Sequence, residues 1–102
     1  MAERREVYAK CNGHCAYCGR EITFREMQVD HVTSLHNHGA DDVSNMLPAC
    51  RECNHYKKAC SLEGFRRRMR KAMAREKNVP SVALICERFG DWGDRFWFER
   101  EV

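Results

Sequence analysis

The sequence predicts a small α+β domain whose core is stapled by cysteines. The chain has 102 residues, which is enough for one core that buries only about 60 to 70% of the unfolded surface. Segments rich in β-branched and aromatic residues alternate with segments of helical periodicity. Seven cysteines are present, and four of them form two Cys-x-x-Cys pairs, Cys15 with Cys18 and Cys50 with Cys53. We expect a single domain over residues 1–102.

The two cysteine pairs indicate a metal site rather than disulfides. The N-terminal segment is charged and lacks the apolar stretch of a secretory signal, so the expected compartment is a reducing cytoplasm, where disulfides are rare. Four thiolates from two separate turns are the usual ligands of a structural Zn²⁺ ion. The expected ligands of this ion are Cys15, Cys18, Cys50 and Cys53. The expected core cysteines are Cys11, Cys60 and Cys86.

The first part of the chain predicts a helix, two short strands and a second helix. A helix is expected over residues 3–11. The segment 21–32 is rich in β-branched and aromatic residues and predicts extended structure, whereas the polar residues 33–44 predict a loop. A short apolar run over residues 45–49 predicts a second strand. Residues 51–60 contain no Gly or Pro, which indicates a helix that begins at the second cysteine pair.

The second part of the chain predicts two further helices and a terminal strand. Ser61 is a suitable cap for an amphipathic helix over about residues 61–77. A third helix is expected to begin at Pro80 and to stop at Gly90. In the last segment Phe96 and Phe98 alternate with Trp97 and Glu99, which predicts a terminal strand and so a C-terminal helix and strand over residues 80–102.

The positive charge of the chain is concentrated in the amphipathic helix. The net charge is +3, but residues 64–77 alone carry 7 basic residues and 1 acidic residue. Such a patch in an otherwise near-neutral chain indicates a polyanionic partner, and nucleic acid is the commonest one. No apolar run approaches the roughly 20 residues that cross a bilayer, so no membrane association is expected. The basic residues expected to contact DNA here are Arg66, Arg67, Arg70 and Lys71.

Between residues 15 and 58 the chain carries CAYCG, VDHV and HGADDVSNMLPACRECNHYK, in this order. Together these motifs resemble the HNH endonuclease family, the zinc-stapled branch of the ββα-metal nucleases, over a little under half of the chain. The resemblance implies a ββα-metal (His-Me finger) core with a four-cysteine zinc staple, flanking helices and a short C-terminal strand. It also implies a metal-dependent DNA endonuclease that hydrolyses phosphodiester bonds and nicks one strand per active site.

The resemblance assigns a role to each motif residue. His31 would be the general base, a task for which the imidazole pKa near neutrality is suited. Asp30 and Asn54 would bind a catalytic divalent ion through hard oxygen atoms, with Mg²⁺ expected and Mn²⁺ or Ni²⁺ as alternatives. Asn45 would fix the loop around the base through its amide. His55 follows Asn54 directly and remains an alternative metal ligand if the helix begins one residue later.

Two points stay open in this assignment. Lys57 and Lys58 both lie near the end of the predicted helix, and either could contact a phosphate. Asp30 and His31 are adjacent, so in an ideal strand their side chains would point to opposite faces. The strand is therefore expected to end or twist at this position.

Two other classes of function are compatible with the same residues. One is a catalytically inactive, zinc-stapled DNA-binding module. The other is an adaptor, for example in phage packaging, whose C-terminal aromatic residues dock on a protein partner. The protein is expected to be a monomer or a weak dimer. The expected location is the cytoplasm of a bacterial cell, and the protein is expected to be encoded by the bacterium or by a phage.

Overall fold

Helices surround a two-stranded antiparallel sheet in the computed structural model, which describes residues 2–76, 78–90 and 92–100. The helices and strands are, in chain order, α1 (Ala2–Ala9), β1 (Gln28–His31), β2 (Met46–Ala49), α2 (Arg51–Lys57), α3 (Leu62–Lys71), α4 (Pro80–Phe89) and α5 (Trp97–Arg100). Short 3-10 turns over Leu35–Asn37 and Val43–Asn45 separate the strands, and a π-helical turn over Ala72–Glu76 follows α3. The predicted α+β class is confirmed. None of the helices in these ranges is long and apolar enough to cross a membrane.

The sheet and α2 form the strand-strand-helix unit that positions the candidate site. β1 and β2 pair in antiparallel register, with His31 opposite Met46. Cys50 lies between β2 and α2 and caps the helix, since its Sγ accepts a hydrogen bond from the Cys53 amide at 3.4 Å. A cysteine of the second pair therefore also fixes where α2 begins.

Residues that favour helix ends mark the boundaries of α3 and α4. Ser61 caps α3 with its side chain, Pro80 is the first residue of α4, and Gly90 follows the last residue of α4. These three boundaries agree with the prediction, because each depends on a residue type with a strong preference for a helix end. The basic helix was expected to reach residue 77 and the terminal strand residue 102, and both residues lie outside the described part of the chain.

Several elements end earlier than expected: α1 ends at Ala9 and α3 at Lys71, and two others are shortened for a visible local reason. The segment 21–32 contains only a four-residue strand, because Thr23 and Glu26 close a turn ahead of it. The Thr23 amide donates to Glu26 Oε1 at 2.9 Å, and the Glu26 amide donates to Thr23 Oγ1 at 3.1 Å. α2 ends earlier than expected, at Lys57, because Lys58 leaves the helix with a φ of 54°.

The predicted C-terminal strand is wrong, because the last described residues form the short helix α5. The Phe96 amide donates to Glu99 Oε1 at 2.8 Å, which caps this helix. The amides of Trp97 and Phe98 donate to backbone carbonyls of the first cysteine turn at 3.0 and 2.8 Å. Phe96 is fully buried, and Trp97 and Phe98 are half-buried. Aromatic residues pack on several sides of this segment, so their spacing imitates the alternation of a strand.

Arg66 joins α3 to α5 and does not face the solvent. Its guanidinium binds both carboxylate oxygens of Glu99, at 2.9 and 2.8 Å, and Nε donates to Glu63 at 3.1 Å. The same group donates to the Asp94 carbonyl and lies 5.0 Å above the Phe96 ring. The planar guanidinium group of Arg66 therefore fixes α5 against α3.

Glu99→Gln should weaken this junction and lower the free energy of unfolding by about 2 kcal/mol at pH 7, since it removes the charged hydrogen bonds. Arg66 lowers the pKa of Glu99 below its ordinary value of 4.5. Stabilisation by a carboxylate with a lowered pKa is present above that ordinary value and is lost as the pH falls below it. Urea denaturation at pH 7 and pH 3 should therefore separate the variant from the wild type only at the higher pH. The exposed Glu87 provides a matched control, Glu87→Gln, with no difference at either pH.

Candidate active site and metal centre

The four cysteines of the two Cys-x-x-Cys pairs form one buried cluster. The Sγ atoms of Cys15, Cys18, Cys50 and Cys53 all lie within 4.8 Å of one another, and those of Cys18 and Cys50 are 3.8 Å apart. Zn–S bonds of about 2.3 Å at tetrahedral angles would separate the sulfur atoms by roughly 3.8 Å. The cluster can therefore hold a metal ion, and its spacing fits zinc. Across the described ranges, no other group of three His, Cys, Asp or Glu side chains is arranged in this way.

The backbone around the first cysteine pair is tied to β2 and to α5. The Ala16 amide donates to the Pro48 carbonyl at 2.8 Å, and the Gly19 amide donates to the Cys15 carbonyl at 3.0 Å. Gly19 has a φ of +81°, and a Cβ at this position would lie 2.2 Å from the Trp97 ring. Only glycine fits this turn, and it lets Trp97 pack directly on the turn that presents the cysteines.

Positive charge lies next to the sulfur cluster. Arg88 Nη1 is 3.8 Å from Cys50 Sγ and donates to Glu52 at 2.8 Å, and Glu52 also accepts from Arg20 at 3.2 Å. Burial acts to raise the pKa of Cys15, but hydrogen bonds from the neighbouring thiols outweigh it and lower that pKa well below its ordinary value. The pKa of Cys50 is lowered too, whereas hydrogen bonds within the cluster raise the pKa of Cys18 and of Cys53. Two of the four sulfur atoms therefore favour thiolate, which is the form that binds a metal.

Asn45 bridges the loop between the strands through its whole amide. Its Nδ2 donates to the carbonyls of Thr33 and Ala40, both at 2.8 Å, and its Oδ1 accepts from the Thr33 amide at 3.0 Å. Its carbonyl accepts from the Val32 amide at 2.8 Å. A Cβ at Gly39 would lie 1.9 Å from the Thr33 carbonyl oxygen, so the loop closes around Asn45 only with glycine there.

His31 is the last residue of β1 and is held from the loop side by a carboxylate. Its Nε2 lies 2.9 Å from Asp41 Oδ1, and about a quarter of its side chain (24%) is exposed. Because the carboxylate accepts an N–H of the ring, it fixes the direction in which the imidazole points. Asp41 was not singled out in the sequence, where its neighbourhood indicated only a polar loop.

Asp30 is turned away from solvent, on the opposite face of β1 from His31. It is only 4% exposed, accepts a hydrogen bond from the Tyr17 hydroxyl, and lies 3.3 Å from the Lys57 ammonium. Burial raises the pKa of Asp30, while Tyr17 and Lys57 act in the opposite direction. As expected for neighbours in a strand, the two adjacent side chains point to opposite faces of β1: that of Asp30 faces inward and that of His31 faces the loop.

Three of the four predicted catalytic residues, Asp30, His31 and Asn54, nevertheless line one cleft, and Asn45 does not. The volume of this cleft is about 270 Å³, and it is lined by Val29, Asp30, His31, Ser34, Leu35, Asn54, Lys58 and Ala59. The Asn54 amide nitrogen is directed at Gln28 Oε1, 3.5 Å away. His55 is exposed and does not line the cleft, so of the two alternatives for the third motif residue only Asn54 faces it. Larger cavities of about 670 and 390 Å³ contain none of these residues.

The basic residues expected to bind DNA are divided by the structure into two groups. Lys57 and Arg66 are buried and have carboxylate partners. The other group is exposed and consists of Lys58, Arg67, Arg70 and Lys71. Arg70 also pairs with Asp94 at 3.0 Å, where both side chains are about half exposed, so solvent weakens that pair. Phosphate contacts are therefore open to the second group only.

Together the antiparallel strands, the following helix, the buried cysteine cluster and the cleft define a ββα domain with a candidate metal site. Residues 15–59 match the family model described as HNH endonuclease. Residues 15–59 thus match an HNH endonuclease domain, and the resemblance noted in the sequence is confirmed.

Two curated relatives and one solved structure resemble the chain. YoqL of Bacillus subtilis (strain 168), an SPbeta prophage-derived protein whose name assigns it to the HNH endonucleases, is 30% identical over 98 residues, covering 88% of this chain and 39% of YoqL. The CRISPR-associated endonuclease Cas9 of Corynebacterium diphtheriae is 36% identical over 55 residues, covering 53% of this chain and 5% of that protein. The crystal structure of the Type II-C Cas9 enzyme from Actinomyces naeslundii gives a TM-score of 0.48 at 18% identity, covering 84% of this chain and 11% of that one. The chain therefore spans well under half the length of these relatives.

Proposed function

We propose that the protein is a metal-dependent DNA endonuclease that hydrolyses phosphodiester bonds and cuts one strand per active site. The observation that carries this proposal is that Asp30, His31 and Asn54 line one cleft, whose rim also includes the exposed Lys58. A general base, two hard oxygen donors and a positive charge in one place are the groups that phosphodiester hydrolysis requires.

His31 is proposed to accept the proton of the attacking water. When its Nε2–H donates to Asp41, the lone pair of the neutral ring lies on Nδ1, and this is the atom that takes the proton. Asp41 stabilises the imidazolium that forms, as a carboxylate does beside a catalytic histidine. Asn45 holds the loop on which Asp41 lies, because its amide binds the carbonyls of Thr33 and Ala40.

Asp30 and Asn54 are proposed to hold the divalent ion, with Mg²⁺ as the expected species. Both line the cleft. A carboxylate and an amide oxygen are a donor set that suits Mg²⁺, which keeps several waters and takes further ligands from substrate phosphate. When bound, the ion would polarise the phosphate and stabilise the leaving oxygen.

Zn²⁺ is proposed as the ion of the cysteine cluster, with a structural role. All four cysteines are buried, so the cluster has the closed ligand set of a structural site and no open position for a substrate. We also propose that residues 1–102 act as one domain and that a monomer suffices for cutting one strand, since one chain supplies the cleft, the base and the metal ligands.

DNA is proposed to lie across the cleft and the exposed side of α3. Lys58, Arg67, Arg70 and Lys71 are exposed and offer contacts to the phosphate backbone without reading bases. The affinity should therefore fall steeply as the salt concentration rises.

A catalytically inactive DNA-binding module is the second candidate, and one observation favours it. Asp30 is buried and already paired with Lys57 and Tyr17, so a metal ion must compete with these partners. This candidate explains the cysteines and the exposed arginines equally well, but it assigns no task to His31 and Asn54.

Incubation of supercoiled plasmid with zinc-loaded protein separates the two candidates. We expect open-circle product with Mg²⁺ or Mn²⁺ and none when the catalytic ion is withheld from the zinc-loaded protein. A folded, zinc-bound protein that binds DNA but leaves the plasmid supercoiled with every divalent ion would exclude the endonuclease and favour the binding module.

Asn54→Ala should abolish most of the plasmid nicking, whereas His55→Ala should retain it. Of these two residues only Asn54 lines the cleft, whereas His55 is exposed one residue further along α2. Loss of a residue that hydrogen-bonds to a metal ligand typically costs about 10- to 100-fold in metal affinity or activity. Loss of the ligand itself should cost at least as much. The rate of open-circle formation should be measured over a range of Mn²⁺ concentrations for both variants. A loss with His55→Ala and none with Asn54→Ala would reverse the assignment.

A further inference from the structure

Lys57 is a fully buried lysine at the end of α2. Its exposed fraction is 0%, although the last turn of a helix is a place where a lysine could extend into solvent. Burying an ammonium group is strongly unfavourable unless the charge is paired and its donors are satisfied. A buried lysine therefore requires partners that use its hydrogen atoms.

The ammonium of Lys57 is satisfied by three consecutive residues at the end of β1. It lies 3.3 Å from Asp30 Oδ2 and donates at 3.3 Å to the carbonyl oxygens of both His31 and Val32. An ammonium group has three hydrogen atoms to donate, and these three residues provide three acceptors. The contacts leave no hydrogen of Lys57 for a phosphate.

These contacts fix the backbone at the end of β1, where His31 is the last residue of the strand. The Val32 amide donates to the Asn45 carbonyl at 2.8 Å, so the backbone after His31 is bound by Asn45 through an N–H group and by Lys57 through carbonyl groups. On the inner face, Tyr17 and Lys57 both bind Asp30. The direction of both functional side chains thus depends on the position of one ammonium group.

We propose that Lys57 is a positioning residue, which acts by fixing Asp30 and the backbone of His31 and Val32, and that it does not bind the DNA phosphates. The adjacent Lys58 is exposed and lines the cleft, so it takes the phosphate contact that the sequence allowed for either lysine. The catalytic consequence rests on the proposed nuclease function, but the positions of the two lysines do not.

The test compares Lys57→Met with Lys58→Met, because methionine keeps the apolar stem and removes the charge in both. Lys57→Met should lower kcat by about 100-fold, the typical effect of a misplaced catalytic group. Its DNA affinity and the salt dependence of that affinity, measured by fluorescence anisotropy in Ca²⁺, should stay close to those of the wild type. Lys58→Met should weaken DNA binding and reduce the slope of log Kd against log salt by about one.

The proposal is overturned if Lys57→Met weakens DNA binding and reduces the salt slope while kcat is kept, because that is the behaviour of a phosphate contact. If the wild type does not nick DNA, the proposed function fails, and the binding data still decide whether Lys57 contacts phosphate. These two failures are therefore distinguishable.

Thermal unfolding of a double variant covers the case in which Lys57→Met is too unstable for these assays. Lys57→Met leaves the buried Asp30 carboxylate without its counter-ion, so it should lower the unfolding temperature. Adding Asp30→Asn removes that carboxylate and should restore a large part of the loss. A double variant that is no more stable than Lys57→Met would contradict the pairing on which the proposal depends.

Discussion

Cys15→Ser should leave the protein largely unfolded at 25 °C. The cysteine cluster joins the first cysteine turn to the start of α2, and zinc binding at structural sites contributes about 10 to 16 kcal/mol to folding at neutral pH. These values are of the same size as the net stability of a typical domain, about 5 to 15 kcal/mol. Far-UV circular dichroism and the zinc content per chain should both fall, and chelation of zinc from the wild-type protein should have the same effect.

Cys60→Ser is the matched control for this experiment. Cys60 is half-buried and lies outside the cluster, so the variant should keep one zinc ion per chain and a cooperative unfolding transition. If Cys15→Ser lost its zinc but kept the unfolding temperature of the wild type, the cluster would have no structural role and the fold would depend on the aromatic core alone.

The cysteine cluster and the candidate cleft are connected through Tyr17 and α2. Tyr17 lies between the two cysteines of the first pair and donates to Asp30 in the cleft. Cys50 caps the start of α2, and the same helix carries Asn54 and Lys57 towards β1. Loss of the metal should therefore displace both the inner partner of Asp30 and the helix that faces it, even in conditions under which part of the fold survives.

The parts of the fold that the sequence predicted depend on local signals. Ser61, Pro80 and Gly90 mark helix ends through their own backbone preferences, and the Cys-x-x-Cys spacing defines a metal-binding turn by itself. Such signals involve residues close together in the chain, so they can be recognised without the tertiary structure.

The parts that could not be predicted depend on contacts between distant segments. Lys57 and Arg66 are basic residues on helices, and such residues are usually exposed; their burial follows from Asp30 and Glu99, which the chain brings from far away in sequence. The C-terminal segment forms a helix because its amides reach the carbonyls of the cysteine turn. A pattern of aromatic residues alone does not contain this information.

His31→Ala should lower the rate of plasmid nicking by about 100- to 10,000-fold, the range expected when a general base is removed. The imidazole is partly exposed, and its side-chain contact is to the exposed carboxylate of Asp41. Its removal should therefore change the unfolding temperature little and leave zinc content and DNA affinity intact. Single-turnover nicking with saturating protein measures the loss in the chemical step directly.

His36→Ala is the matched control, since His36 is an exposed histidine in the 3-10 turn over Leu35–Asn37 and does not line the cleft. Its nicking rate should equal that of the wild type. If His31→Ala and His36→Ala both nicked at the wild-type rate while omission of the catalytic ion still stopped the reaction, the base would have to be another group. Asp41 would then be the first group to test, because it is the carboxylate in direct contact with His31. Asp41→Asn would distinguish a base from a partner that only orients the imidazole: it should abolish nicking in the His31→Ala background in the first case and have no further effect there in the second.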